Sequence, residues 1–303
     1  MNILIVAHGV PDQSVLGGPG RVAAAHARAL AARGHHVRVL TSDIVVKGAS
    51  AEPTFGLLGP DIEARWVRAR TLKWWPGTVG PVLSRTSGTV RSALSGVDVL
   101  HCHEWPHGLV QGARRAAKRA GVPCVVQPHG SIQARTGLNR LLHAATDALH
   151  PLGPQDVVLV GSDHEEAEVL QAARHRPVVR HLVNPMAASK LDKGDPAVAA
   201  RRRSWMLPAG AKALLYAHRL APNKGLDLAI AALAQLPDSC HLIVIGDDSV
   251  FPTFVKECHT LVAKLSLGQR VRFEGTVDGR EIDEVLLAAD LFLLPARRDT
   301  FPL

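Results

Sequence analysis

Apolar residues come in short blocks along the first part of the chain. The runs 2–8 (NILIVAH), 36–42 (HVRVLTS), 97–103 (VDVLHCH), 123–129 (PCVVQPH), 156–162 (DVVLVGS) and 178–184 (VVRHLVN) are rich in Val, Ile and Leu and alternate little. That predicts strands covered on both faces. Between them, apolar positions recur at helical spacing. Helices are predicted over 19–33, closed by Gly34 as a C-cap, over 107–120, closed by Gly121, and over 163–173. In the last, Ser162 or Asp163 caps the start and Glu165 and Glu166 suit the first turn. Strand–helix alternation at this spacing implies βαβ units and a parallel sheet.

The stretch 188–210 (ASKLDKGDPAVAARRRSWMLPAG) breaks the alternation with Lys, Asp, Gly and Pro. It reads as a linker between a domain at 1–187 and a second at 211–303. The second series has strands at 212–219, 241–247, 271–276 and 290–296 and helices at 225–236, 252–265 and 279–288. The expected fold class is α/β, with two Rossmann-like domains whose parallel sheets face each other across a cleft. Ligands of such sheets bind beyond the carboxyl ends of the strands. The series stops at LFLLPARRDTFPL, where a buried strand ends and no helix follows. A parallel sheet needs that cover, so the second domain is expected to be incomplete and the chain a fragment of a longer protein.

Composition narrows the class. Hydrophobic residues make up 47% and charged residues 20% of the 303, which is ordinary for a globular protein. No apolar run approaches the ~20 residues of a membrane-spanning helix. The opening MNILIVAHGV has no cationic leader and reads as a first strand. The four cysteines (Cys102, Cys124, Cys240, Cys258) form no C-x-x-C pair. They suggest neither a disulfide framework nor a zinc ribbon but a reducing compartment, and the expected location is the cytoplasm. The net charge of +8 sits entirely in residues 1–190, with 21 Lys and Arg against 13 acidic residues; residues 191–303 carry 14 of each. Those cations suit an anionic membrane surface, a phosphorylated substrate or nucleic acid, or form a plain solvated face. Aromatics at 4% are too few for nucleic-acid stacking, and no nucleic-acid partner is expected.

Several stretches carry candidate chemistry. In LLYAHRLAPNKGLDLAI (214–230), Arg219 and Lys224 flank a Pro-Asn turn between a strand and a helix. A helix N-terminus already carries roughly half a positive charge, so two cations beside it make sense if a phosphate or diphosphate binds between them. Two ordinary surface cations would have the same spacing. In LGGPGRVAAAHA (16–27), Gly17, Gly18 and Gly20 precede a helix, where exposed N–H groups could cradle an anion. GPGRVA also matches G-x-G-x-x-A, and Asp43 lies 23 residues after Gly20. In a dinucleotide fingerprint the glycines follow the strand directly. Here about nine residues intervene, which reads as a loop over a cleft and leaves hydride transfer a distant reading. HCHEWPHG (101–108) puts His101 and His103 on one strand face, with Cys102, Glu104 and His107 near. Such a cluster ligates metal or lines a polar cleft. No second ligand cluster at recognised spacing accompanies it, so no metal site is expected. QPHGS (127–131) puts His129 at a strand end, where it can hydrogen-bond a polar substrate or simply occupy a turn. The stretch 70–94 mixes cations with Trp74 and Trp75, which suits a membrane interface or a helix packed on the core.

Together these residues resemble the GT-B-fold retaining glycosyltransferases of family 4, also called group 1. MNILIVAH…GGPGR and LAARGHHVRVLTS are similar to the family's opening strand, glycine loop, first helix and second strand. DVLHCHEW and PCVVQPHGS resemble its next strand ends, VGSDHEEAEVL its S-x-x-E segment, and HLVNP its hinge. AHRLAPNKGLDLAI resembles G-R-L-x-x-x-K-G, and the run to DLFLLPARRDTFPL leads toward the E-x7-E motif. The resemblance implies that Arg219 and Lys224 hold the diphosphate of a nucleotide-sugar donor, a role other enzymes give to a divalent metal. It implies that Gly17 and Gly18 lie near the diphosphate and acceptor and that His129 contacts the transferring sugar. Asp299 falls on the donor side, and His103, Glu104 and Ser131 fall on the acceptor side. No cofactor is implied beyond the nucleotide-sugar substrate. The implied partners are that donor, a sugar or lipid-linked acceptor, and the inner membrane face by peripheral contact. Asp299 stands where the first Glu of E-x7-E is usual, Pro302 where Gly is common, and Ala217 where Gly precedes the H/x-R-L. The second Glu would fall past residue 303, so the expectation is an active parent protein and an inactive fragment. A nucleotide-sugar 2-epimerase of the same fold, or a non-catalytic nucleotide-binding module, are the alternatives.

Overall fold

The structure is a computed structural model. It describes residues 1–9, 18–46, 49–50, 55–56, 58–68, 70–71, 82–83, 87–105, 108–132, 151–173, 175–185, 189–278 and 281–297. Its contacts divide into two compact units, Met1–Met186 with Thr300–Leu303, and Ala187–Asp299.

The first unit is built on a parallel sheet of β1 (Asn2–Val6), β2 (His36–Ser42), β3 (Glu63–Val67), β4 (Val99–His103), β5 (Cys124–Gln127), β6 (Asp156–Val160) and β7 (Val178–His181). The spatial order is β7-β6-β5-β4-β1-β2-β3. The order therefore reverses between β1 and β4, and the crevice beyond their carboxyl ends is where a sheet of this kind places ligands. Alternation along each strand divides the sheet into two dry faces. Leu4, Val6, Leu100 and Cys102 pack toward α2 (Ser87–Ala93) and α3 (Gly108–Ala120). Ile3, Ile5, Val37 and Val39 pack on Ala23, Ala24 and Ala27 of α1 (Gly18–Ala31). α4 (Asp163–Ala172) follows β6.

The second unit repeats the plan. β8 (Lys212–Ala217), β9 (Cys240–Ile245), β10 (Val271–Gly275) and β11 (Leu291–Phe292) lie parallel in the order β10-β9-β8-β11. The reversal falls between β8 and β11. Leu214, Tyr216, Leu242 and Val244 face α6 (Leu226–Leu233) and α7 (Pro252–Lys264), while Leu215, Ile243 and Ile245 face α5 (Pro196–Ser204) and α8 (Ile282–Ala288).

The stretch expected as a linker, 188–210, is instead folded onto this second sheet. Asp195 accepts from the Ala197 N–H and caps α5, with Pro196 in its first turn. Val198 and Trp205 are buried against Leu215 and Ile243. Arg201 pairs with Glu281 and Glu284 of the α8 region, and Arg202 with Asp290. The run of three arginines is thus the cationic end of a helix, two of them paired with acidic neighbours. All four cysteines are free thiols. Among the described residues no helix is long and apolar enough to cross a membrane.

Candidate active site

In the first unit the site grows from β4. His101 and His103 alternate with Leu100 and Cys102, and His101 lies in register with Ile5 of β1 and Val125 of β5. Two imidazoles therefore occupy a face that is otherwise Ile, Val and Ala. His26 of α1 joins them, its ring centroid 5.4 Å from that of His101 and 5.5 Å from that of His103. His103 Nδ1 lies 2.9 Å from His129 Nε2, and those two rings stack. Burial holds all four rings toward the neutral form. It pushes His101 and His129 down to about 3, with neighbouring imidazoles adding to the effect, and His103 well below its ordinary value. His26 is lowered by burial alone. Neutral imidazoles can exchange hydrogen bonds with uncharged hydroxyls but bring no charge to a phosphate.

The loop after β5 is held in a demanding conformation. His129 and Gly130 both have positive φ, 54° and 71°. Glu165, buried in the first turn of α4, spans two loops: Oε1 accepts the Gly130 N–H at 2.6 Å and Oε2 the Gly161 N–H at 2.8 Å. The Ser131 hydroxyl donates to the Pro128 carbonyl and accepts the Trp105 N–H, each at 2.5 Å. It thereby ties the β5 loop to the β4 loop. Glu104, at φ 69°, makes the left-handed turn that ends β4, and its N–H donates to the Gln127 carbonyl. Gln127 in turn donates to Asn184 at 2.9 Å, and both are buried. Polar side chains thus brace every loop at the carboxyl edge of β4, β5 and β6.

In the second unit, β8 runs into His218, Arg219 and a one-turn 3-10 helix, Pro222–Lys224, before α6. Gly225 joins the two helices in left-handed backbone, φ 74° and ψ 34°. A Cβ there would lie 2.1 Å from the Pro295 carbonyl oxygen after β11. Only glycine meets both demands at once. The segment after β11 also fixes the turn from outside. Arg297 donates from Nη1 to the Pro222 carbonyl at 2.9 Å and to Asp227 at 2.8 Å, and its backbone N–H donates to the Asn223 carbonyl. On this anchored turn, Arg219 is exposed and Lys224 half-buried. No ion pair engages the Arg219 guanidinium among the described residues, while the Arg219 carbonyl accepts from the Ala221 N–H. The pair follows β8 at the switch point of the second sheet, between β8 and β11.

The structure brings His103, His129 and Ser131 together at one sheet edge, with Glu104 in the adjoining turn. It sets Arg219 and Lys224 on one turn of the other unit. Gly18 opens α1. Gly17, Asp299, Pro302, His107, Trp74 and Trp75 lie outside the described residues. Sequence reasoning missed Glu165 as a loop bridge, His26 as a neighbour of His101, and Arg297 as an anchor.

This double α/β arrangement is shared with solved proteins. HepE from Anabaena, in complex with UDP and glucose, superposes with a TM-score of 0.68 at 19% identity, over 99% of this chain and 76% of that one. Sucrose-phosphate synthase from Thermosynechococcus elongatus gives 0.66 at 21%, over 100% and 77%. The sequence profile described as a glycosyl transferase 4-like domain matches residues 17–186, and the one described as glycosyl transferases group 1 matches residues 199–303. The chain belongs to the GT-B glycosyltransferases of family 4. Among curated relatives, the D-inositol 3-phosphate glycosyltransferase of Xylanimonas cellulosilytica is 30% identical over 91% of this chain and 69% of its own length. Its counterpart from Thermobispora bispora is 29% identical over 74% and 56%. This glycosyltransferase family uses nucleotide sugars.

Proposed function

We propose that the protein transfers a hexose from a nucleoside diphosphate sugar to a hydroxyl of a sugar or lipid-linked acceptor, with retention of anomeric configuration. The observation that carries this reading is the pair Arg219 and Lys224 on an anchored turn at the switch point of the second sheet. In the reaction the bond between the anomeric carbon and the β-phosphate oxygen breaks, and the diphosphate leaves with added negative charge. Arg219, Lys224 and the α6 N-terminus stabilise that charge where it develops. The acceptor oxygen bonds the anomeric carbon on the face the diphosphate leaves, and its proton passes to the departing phosphate oxygen. His129 orients a hydroxyl of the transferring sugar, with Gly17, Gly18 and Asp299 on the donor side and His103 and Glu104 toward the acceptor. Ser131 serves by bracing the loop. The basic excess in residues 1–190 favours an anionic acceptor, and peripheral contact with an anionic membrane in the cytoplasm would serve a lipid-linked one. The names of the curated relatives make a phosphorylated inositol the first acceptor to assay, and HepE makes UDP the first nucleotide.

Calorimetric titration of UDP and GDP into the chain tests the donor site. One nucleoside diphosphate should bind. Because each charge-assisted contact is worth roughly 1.5–3 kcal/mol, Arg219→Ala with Lys224→Ala should weaken binding by at least about tenfold. Equal affinity in the double variant ends the proposal. Donor consumption without acceptor points to a 2-epimerase, and binding without turnover points to a nucleotide-binding module.

A further inference from the structure

His26, His101 and His103 share a property that packing alone does not explain. Each has a buried ring nitrogen with no hydrogen-bond partner: Nδ1 of His26, Nε2 of His101 and Nε2 of His103. A buried polar atom left unsatisfied costs about 1–3 kcal/mol, and here three sit in one place. One nitrogen from each ring lies within 4.8 Å of the others. From the sequence no metal site was expected, because no second ligand cluster at recognised spacing accompanied His101 and His103. The third comes from α1, 75 residues earlier in the chain than His101, and only the fold supplies it.

We propose that His26, His101 and His103 form a binding site for a divalent zinc-class ion. Neutral imidazole is the form that ligates such ions, and three histidines with a fourth position open to solvent is a zinc donor set. Zinc–nitrogen bonds near 2.1 Å bring tetrahedral ligands to about 3.4 Å apart, so from separations within 4.8 Å occupancy draws the nitrogens together by about 1.4 Å at most. His26 is the half-buried member of the three, the other two being buried. The surroundings also provide the outer partner that a ligating histidine needs. With Nε2 of His103 on the ion, its Nδ1 must carry the proton, and the 2.9 Å contact becomes a donation to His129 Nε2. His129 Nδ1 then holds that ring's hydrogen. The ion thereby sets the tautomer of the residue proposed to orient the sugar, while standing apart from the diphosphate chemistry of the other unit.

The test uses the full chain, stripped with a chelator and titrated with Zn2+ by calorimetry. One equivalent should bind with a Kd in the micromolar range or below. His26→Ala, at the half-buried position, should weaken binding at least tenfold while the thermal transition stays cooperative; His101→Gln is the second variant. His36→Ala removes an exposed imidazole and should leave binding unchanged. Loading with Co2+ should give the visible absorption of a nitrogen-rich, four- or five-coordinate site, absent in His26→Ala. No saturable uptake, or equal loss in His26→Ala and His36→Ala, overturns the proposal. UDP binding is a separate measurement on the other unit, so either reading can fail without the other.

Discussion

Arg297 grips Asp227 with both terminal nitrogens of its guanidinium. The pair joins the segment after β11 to the first turn of α6, and the same Arg297 side chain reaches the Pro222 carbonyl. Neither residue is one of the two cations proposed to meet the diphosphate. Their effect is to hold the turn between the two cations, so Arg297 is a positioning residue.

This pairing predicts a pH signature. The hydrogen bond from Arg297 holds the Asp227 carboxyl below its ordinary value of 3.8. The folded protein therefore binds fewer protons than the unfolded chain in that range. The contribution is complete above the ordinary value and disappears as pH falls through the lowered one. The urea midpoint of the native chain should exceed that of Asp227→Asn at neutral pH, and the difference should fade as pH falls below the ordinary carboxyl value. The difference will be small, because the side chains are 45% and 31% exposed. Arg297→Ala should also weaken UDP binding at neutral pH, with Arg297→Lys partly restoring it. Unchanged affinity in Arg297→Ala would show that the turn needs no outside anchor.

Glu165 gives a second prediction. Both of its oxygens accept backbone N–H groups, from Gly130 and Gly161. Glu165→Ala leaves the buried Gly130 donor unsatisfied, at about 1–3 kcal/mol, and frees the part-buried Gly161 donor at a smaller cost. In a domain of this size each kcal/mol corresponds to about 2–4 °C, so the melting temperature should drop by several degrees. Glu165→Gln keeps one carbonyl oxygen and should lose less. Hydrogen exchange at Gly130 should accelerate in Glu165→Ala, since that amide follows His129 directly. Native-like melting in both variants would show that the loop holds itself.

The strands were legible because parallel, doubly covered strands are written as Val, Ile and Leu blocks. Most predicted runs overshoot the observed carboxyl ends, although those of β2 and β4 end where the strands do. The run 123–129 ends as a strand at Gln127, and 212–219 ends at Ala217. The overshoot residues His129 and Arg219 belong to the carboxyl-edge loops, where the candidate chemistry lies. β3, Glu63–Val67, escaped notice because it is an edge strand with alternating exposure and polar residues between apolar ones. α5 escaped because the Lys, Asp, Gly and Pro of its stretch looked like a break, although Asp195 and Pro196 were a start signal in plain view. The two cations after β8 were visible from spacing. Their anchor, Arg297, was not, because it lies 70 residues from Asp227 and no local pattern records that distance.

Gly225 and Gly210 separate backbone strain from crowding. Both are left-handed, at φ 74° and 77°. A Cβ at Gly210 meets nothing within 4 Å, whereas one at Gly225 would lie 2.1 Å from the Pro295 carbonyl oxygen and 3.3 Å from Leu228 Cδ1. Gly210→Ala should cost only the left-handed penalty, about 1–2 kcal/mol, with UDP affinity unchanged. Gly225→Ala carries the same penalty and must also push the post-β11 segment away from the turn. That displacement pulls Arg297 from Pro222 and Asp227, so stability and UDP affinity should fall together. Denaturant titration and calorimetry on the two variants provide the comparison. If Gly225→Ala proves no worse than Gly210→Ala in both, the close approach of Pro295 is not what shapes the anion-binding turn.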